Sequence, residues 1–293
     1  MFTGTYTAIV TSFREGAIDE MALKQLIRRQ IKGGVDGIVP VGTTGESPTV
    51  DFDEHIRIIE VSVLAAKGSG LKVVAGTGAN STAEAIKLTQ LAEKIGAHGS
   101  LQVAPYYNRP TQEGLYQHFK AVAQATRLPI LLYSIPGRCG VEIAVDTCAR
   151  LMADCRNIVG IKEAGGNADR VSQLRGACGS KFVILSGDDS LTLPFMSVGA
   201  QGVISVASNV APAQVSAMVR AFAEGNPAKA LKIHHRLYPL FKDLFIESNP
   251  VPVKAALALM GVGTDEVRLP LVPLSDKSRA TLTQTLKAVG LLR

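Results

Sequence analysis

Short apolar runs rich in β-branched residues recur at spacings of about 20–35 residues, the length of one strand–helix unit. They lie at Thr7–Thr11, Gly37–Val41, Lys72–Gly76, Ser100–Ala104, Ile130–Tyr133, Val159–Lys162, Val183–Ser186 and Val203–Val206. The stretches between them carry apolar residues at helical spacing. Ile18–Lys32 places Leu23, Leu26, Ile27 and Ile31 on one face, and Asp53–Lys67 opens with acids before Ile56, Ile59, Val63 and Leu64. Thr82–Ile95, Gln112–Ala125, Val145–Ala153, Arg170–Ala177, Leu191–Val198 and Ala213–Ala223 complete the alternation. Eight strands alternating with eight helices predict an α/β chain folded as a (β/α)8 TIM barrel over residues 1–224, since an open doubly wound sheet commonly stops near six strands. Further helical patterns at Lys229–Ile246, Val251–Leu259 and Asp276–Val289 predict a C-terminal helical extension, 225–293, packed on the barrel.

Composition narrows the class. The chain has 293 residues, 46% of them hydrophobic, and no long polar tract, which suits one large core and argues against disorder. A formal net charge of +6 comes from scattered residues, with no Lys/Arg block and no Trp, so a nucleic-acid partner is not expected. Cys139, Cys148, Cys155 and Cys178 form no C-x-x-C pair and read as free thiols in a reducing compartment. The N-terminal segment lacks the charged and apolar regions of a signal peptide, and no uncharged apolar stretch could span a bilayer, so a cytoplasmic protein without membrane contact is expected.

Barrel active sites are built at the C-terminal ends of the strands. Those positions here carry Gly42-Thr43-Thr44-Gly45-Glu46-Ser47, Pro105-Tyr106-Tyr107-Asn108-Arg109-Pro110, Tyr133-Ser134-Ile135-Pro136-Gly137-Arg138, Lys162-Glu163, Gly187-Asp188-Asp189 and Ile204-Ser205. Lys162 ends an apolar run that reads as a buried strand. An ammonium there must be paired, must reach water or must be partly neutral, because desolvating it costs several kcal/mol. A partly neutral lysine is a nucleophile toward ketones and aldehydes. One amine, several phenols, hydroxyls and a guanidinium at one barrel end fit imine chemistry, with a tyrosine moving protons and an arginine clamping an anion.

Read singly, each piece has a plainer explanation. Lys162 could lean into solvent from a strand end, Gly42-Thr43-Thr44-Gly45 could be an ordinary turn, paired tyrosines commonly pack, and Arg138 could be a solvated turn residue. Their common placement at strand ends favours function. His55, His98, His118, His234 and His235 form no H-x-x-x-H, so no catalytic metal is expected, and Asp188-Asp189 reads more readily as a cap. Gly76-Thr77-Gly78-Ala79-Asn80-Ser81 is only a partial dinucleotide fingerprint on the third strand, and no cofactor is expected.

The motifs Gly42-Thr43-Thr44-Gly45-Glu46-Ser47, Tyr106-Tyr107-Asn108-Arg109-Pro110, Tyr133 with Pro136-Gly137-Arg138, and Gly160-Ile161-Lys162-Glu163-Ala164 resemble the 4-hydroxy-tetrahydrodipicolinate synthase family, also called dihydrodipicolinate synthases. The resemblance runs over essentially the whole chain. The strand-two motif and the lysine strand are shared with other pyruvate-dependent class I aldolases, whereas the Tyr107 run and Arg138 are more specific. It implies a lyase that condenses pyruvate with L-aspartate 4-semialdehyde in lysine and diaminopimelate biosynthesis, without a cofactor. It implies that Lys162 forms a Schiff base with pyruvate and that Tyr133 transfers protons through Thr43 to Tyr107, the last supplied by a neighbouring subunit. Thr44 and Ile204 are implied to hold pyruvate and Arg138 the aldehyde's carboxylate. A homotetramer built as a dimer of dimers is implied too. A lysine-regulatory site is matched at Ser47, His55, Asn80, Glu84 and Tyr106, while Phe52, Pro48 and, next to Tyr133, Ser134 depart from the family pattern. The rival readings are an aldolase acting on N-acetylneuraminate or 2-keto-3-deoxygluconate, and a barrel that only binds keto acids.

Overall fold

The structure, a computed structural model, describes residues 2–292. Its eight parallel strands are β1 (Gly4–Ala8), β2 (Gly37–Val39), β3 (Lys72–Gly76), β4 (Gly99–Val103), β5 (Ile130–Ser134), β6 (Ile158–Glu163), β7 (Val183–Ser186) and β8 (Gly202–Ser205). They close into a barrel in the order β1-β8-β7-β6-β5-β4-β3-β2, which is the fold expected from the alternation. Apart from the single helical turn Pro136–Cys139 after β5, the α-helices between and after them are α1 (Glu20–Lys32), α2 (Phe52–Ala66), α3 (Thr82–Ile95), α4 (Gln112–Gln124), α5 (Val145–Asp154), α6 (Ala168–Cys178), α7 (Thr192–Ser197), α8 (Pro212–Ala223), α9 (Pro227–Asp243), α10 (Val251–Leu259) and α11 (Asp276–Ala288). Strands covered on both faces are largely apolar, as in β5, Ile-Leu-Leu-Tyr-Ser, where every residue is buried. No helix among the described residues is long and apolar enough to cross a membrane.

By contacts the chain divides into two compact units. One comprises residues 2–3 and 73–204, the other residues 4–72 and 205–292. In the first, Val103 pairs with Tyr133, Tyr133 with Lys162, and Lys162 with Leu185, so one level of β4, β5, β6 and β7 runs in register. In the second, β1 pairs with β2 through Tyr6–Gly37 and Ala8–Val39. A short ribbon, Phe13–Arg14 with Ala17–Ile18, follows β1.

Two strand ends differ from the apolar runs. The first run extends to Thr11, but β1 stops at Ala8 because Asn209 takes over the ladder's partners: its Nδ2 donates to Ala8 O at 2.8 Å and its Oδ1 accepts from Val10 N at 3.2 Å. The second run extends to Val41, but β2 stops at Val39, since Pro40 has no N–H to donate and Val41 has φ of 52°. Helix starts follow their caps. Asp19 accepts from Ala22 N at 2.9 Å, so α1 begins at Glu20 and Ile18 is left in the ribbon. Asp51 and Glu54 form a reciprocal capping box on α2.

Candidate active site

In the first unit the candidate lysine is buried. Lys162 is 6% exposed, and its Nζ lies 4.2 Å from the centre of the Tyr133 ring, the residue level with it on the neighbouring strand. A Cβ at position 187 would come within 3.0 Å of Lys162 Cε and 2.6 Å of Ala164 Cβ, so only glycine there leaves room for the lysine stem. Burial pulls the Lys162 pKa from 10.5 down to about 8; the Asp189 carboxylate opposes this and the Arg138 guanidinium adds to it. At pH 7 a pKa near 8 leaves about a tenth of the amine neutral, against about three parts in ten thousand for an ordinary lysine. That gain of roughly 300-fold in nucleophile is what imine formation needs.

The adjacent carboxylate does not reprotonate this amine. Glu163 points to the opposite face of β6, as strand alternation requires. It is held there by Arg170 Nε at 2.9 Å and Gly165 N at 2.7 Å, with Glu142 completing the cluster 3.3 Å from Arg170. Burial raises the Glu163 pKa, and Arg170 works against that rise.

Arg138 is exposed in the turn Pro136–Cys139 that follows β5, and Ile204 is fully buried on β8. Asn80, Glu84 and Tyr106 come together, with Asn80 Nδ2 donating to Tyr106 O at 3.3 Å. Burial, then the Glu84 charge, raises the half-buried Tyr106 phenol's pKa. Tyr107, by contrast, is 92% exposed with φ of 71°, in a loop where Arg109 is also left-handed at 44°. The loop is held by Asn108 Nδ2 to Asn80 O at 2.9 Å and Arg109 Nε to Gly140 O at 3.0 Å. A cavity of about 760 Å3 in this unit lies at the start of β6 and β7, lined by Arg156, Ile158, Lys181 and Val183, and includes none of the candidate residues.

In the second unit, Thr43 and Thr44 sit in the single turn Thr43–Gly45. That turn is flanked by two strained residues, Val41 at φ 52° and Glu46 at φ 56°, neither a glycine. Each costs about 1–3 kcal/mol and persists only if its surroundings enforce it. Four groups enforce this loop. Thr11 Oγ1 donates to Gly45 O at 2.7 Å, and Asn249 Nδ2 donates to Thr44 Oγ1 at 3.0 Å. Lys254 Nζ meets Glu46 Oε1 at 2.6 Å, and Arg268 N donates to the other oxygen, Oε2, at 3.1 Å. The Arg268 guanidinium also grips Glu54 at 2.5 and 2.6 Å and Thr49 O at 2.9 Å. Ser47 lies in the next turn, and His55 is buried on α2.

A family model described as the dihydrodipicolinate synthetase family matches residues 1–289. The chain belongs to that family. Its relatives include the 4-hydroxy-tetrahydrodipicolinate synthase of Pelobacter propionicus, 51% identical over all of both chains. Among solved structures, the 4-hydroxy-tetrahydrodipicolinate synthase of Methylacidiphilum fumariolicum SolV is 58% identical with a TM-score of 0.97, over 99% of this chain and 96% of that one. The chloride-inhibited dihydrodipicolinate synthase of Acinetobacter baumannii complexed with pyruvate is 43% identical with a TM-score of 0.97, over the whole of both. This dihydrodipicolinate synthetase-family chain also carries residues that its motifs do not single out: Asn249, Lys254 and Arg268 behind the threonine turn, and Arg170 paired with Glu163, while Asp189, which the sequence suggests as a cap, acts on the Lys162 charge. Lys254 did carry a signal, being one lysine in the apolar segment Val251–Leu259.

Proposed function

We propose that this chain is a 4-hydroxy-tetrahydrodipicolinate synthase, a lyase condensing pyruvate with L-aspartate 4-semialdehyde in lysine biosynthesis. The observation that carries this reading is the buried amine of Lys162, with its lowered pKa, stacked on Tyr133 in a chain about half identical to synthases along its whole length. The neutral amine attacks C2 of pyruvate; loss of water gives an imine. Removal of a methyl proton then gives an enamine whose terminal carbon attacks the aldehyde carbon of the second substrate. Addition of water to the imine carbon frees the lysine, and the released product cyclises.

Tyr133 is assigned the proton transfers, passed on through Thr43 to Tyr107. The 92% exposure of Tyr107 supports its serving a neighbouring subunit, within a homotetramer arranged as a dimer of dimers. Thr44 and Ile204 are assigned to pyruvate. Arg138, exposed and near enough for its charge to lower the Lys162 pKa, is assigned to the carboxylate of the semialdehyde, an anion that sugar-acid substrates do not present at that position. Ser47, His55, Asn80, Glu84 and Tyr106 are assigned to lysine feedback, for which the gathering of Asn80, Glu84 and Tyr106 is the support.

The test is reductive trapping. Incubation with pyruvate and borohydride is expected to add one reduced pyruvate to the protein mass, on Lys162. Lys162→Ala is expected to abolish the adduct and lower turnover by at least about a thousandfold. An unmodified wild-type mass refutes the class I mechanism, and faster turnover of sugar acids than of aspartate semialdehyde refutes the substrate.

A further inference from the structure

The hydroxyl of Thr44 has a fixed partner within its own unit. Asn249, just ahead of α10, donates from Nδ2 to Thr44 Oγ1 at 3.0 Å, and both residues are buried, at 6% and 3% exposure. The two ends of this contact are tied together a second time. Glu46, two residues after Thr44, is bound by Lys254 of α10 at 2.6 Å and by the Arg268 backbone at 3.1 Å. The Lys254 ammonium and the Arg268 guanidinium also lie 4.3 and 4.2 Å from the Phe13 ring centre, so the clamp is packed as well as paired. The threonine turn and the start of α10 are therefore tied together at two points.

The direction of the bond carries the chemistry. A side-chain amide nitrogen only donates, and a hydroxyl has a single proton. A hydroxyl that already accepts from Asn249 keeps its own proton for another acceptor, and the accepted bond polarises it toward giving that proton. Among the described residues Thr44 Oγ1 donates to no other group. We infer that Asn249 is a positioning residue that aims the Thr44 proton as a donor to the carboxylate of the bound 2-keto acid, with the Lys254–Glu46 pair holding the two in register. The inference rests on the assignment of Thr44 to pyruvate given above. Asn249 itself acts only through Thr44.

The experiment measures the pyruvate concentration that gives half-maximal reductive trapping, by intact mass, in the wild type, Asn249→Ala, Asn249→Asp, Thr44→Val and the Asn249→Ala/Thr44→Val double variant. Asn249→Ala is expected to raise the half-saturating concentration roughly tenfold, the worth of one hydrogen bond to an anion, without lowering the maximal extent of trapping. Asn249→Asp keeps the shape but offers the hydroxyl an acceptor, and is expected to weaken pyruvate more than Asn249→Ala does. In the Thr44→Val background Asn249→Ala is expected to add nothing, because its route to the substrate is gone. Asn249→Asp binding pyruvate as well as the wild type, or an additive effect in the double variant, overturns the inference. Should Asn249→Asp fail to fold, as shown by circular dichroism, the double variant decides alone. Absence of trapping in the wild type refutes the proposed function instead, so the two failures are distinct.

Discussion

Lys162 on β6 and Lys254 on α10 are both buried among apolar neighbours and both lie close to an aromatic ring, Tyr133 at 4.2 Å and Phe13 at 4.3 Å. They differ in the carboxylate. Lys254 has Glu46 at 2.6 Å, inside an array that Arg268 and Glu54 extend. Burial lowers its pKa and Glu46 works against the fall, and the pair holds a strained turn. Lys162 makes no ion pair among the described residues; its neighbouring carboxylate, Glu163, is committed to Arg170. Burial then outweighs the opposing Asp189 charge and the amine reaches a pKa of about 8. The same side chain in a buried setting is structural or reactive according to whether a carboxylate pairs with it directly or acts on it only as a nearby charge.

The sharpest break in that comparison comes from Glu46→Gln, which strands a buried charge at Lys254. Removing one partner of a buried pair costs about 3–5 kcal/mol, whereas replacing both with apolar groups of similar volume is often neutral. Urea titration of Glu46→Gln is expected to show that loss, and Glu46→Gln/Lys254→Met to recover most of it. A single-variant cost below about 1 kcal/mol, within the range of an exposed pair, would mean that Lys254 is not clamped as described.

The same two lysines separate what local sequence encodes from what only the fold brings together. Periodicity gave the eight strands and the barrel, because parallel strands covered on both faces are mostly apolar. A lysine ending such a run pointed to Lys162. The same criterion applies to Lys254 in Val251–Leu259, and only the approach of Glu46, distant in sequence, separates the two. Local spacing does not contain that contact. Nor does it contain Asn209, whose side chain ends β1 from the far end of the sequence, or Asn249 behind Thr44. Tyr133 and Arg138 stand out in the sequence because one lies at a strand end and the other in the segment just after it, where barrel folds place chemistry.

A second break runs in the opposite direction. The folded-state pKa of Lys162, about 8, lies below its ordinary 10.5, so between those values the unfolded chain binds more protons than the folded one. Stability therefore rises with pH across that window, and the full penalty is present below about pH 8. Lys162→Met fills a similar volume without a charge. It is expected to stabilise the protein at pH 7 by on the order of 3 kcal/mol and by progressively less toward pH 10.5, while turnover is lost. Parallel denaturation curves for the two proteins at several pH values check this. A constant difference across the window would show that Lys162 titrates as an ordinary lysine.

The smallest effects come from the charges around the amine, and they have opposite signs. Asp189, 2% exposed, holds the Lys162 pKa up, while Arg138, exposed to solvent, pushes it down. The rate of trapping by cyanoborohydride at low pyruvate is expected to rise with pH through the lysine pKa. Asp189→Asn should move that midpoint to lower pH, and Arg138→Ala should move it to higher pH. The second shift is the smaller, because water and salt screen an exposed guanidinium more than a buried carboxylate. Raising ionic strength should therefore shrink the Arg138→Ala shift and leave that of Asp189→Asn nearly unchanged. Shifts of the same sign, or equal sensitivity to salt, would show that the amine is tuned by something other than these two charges.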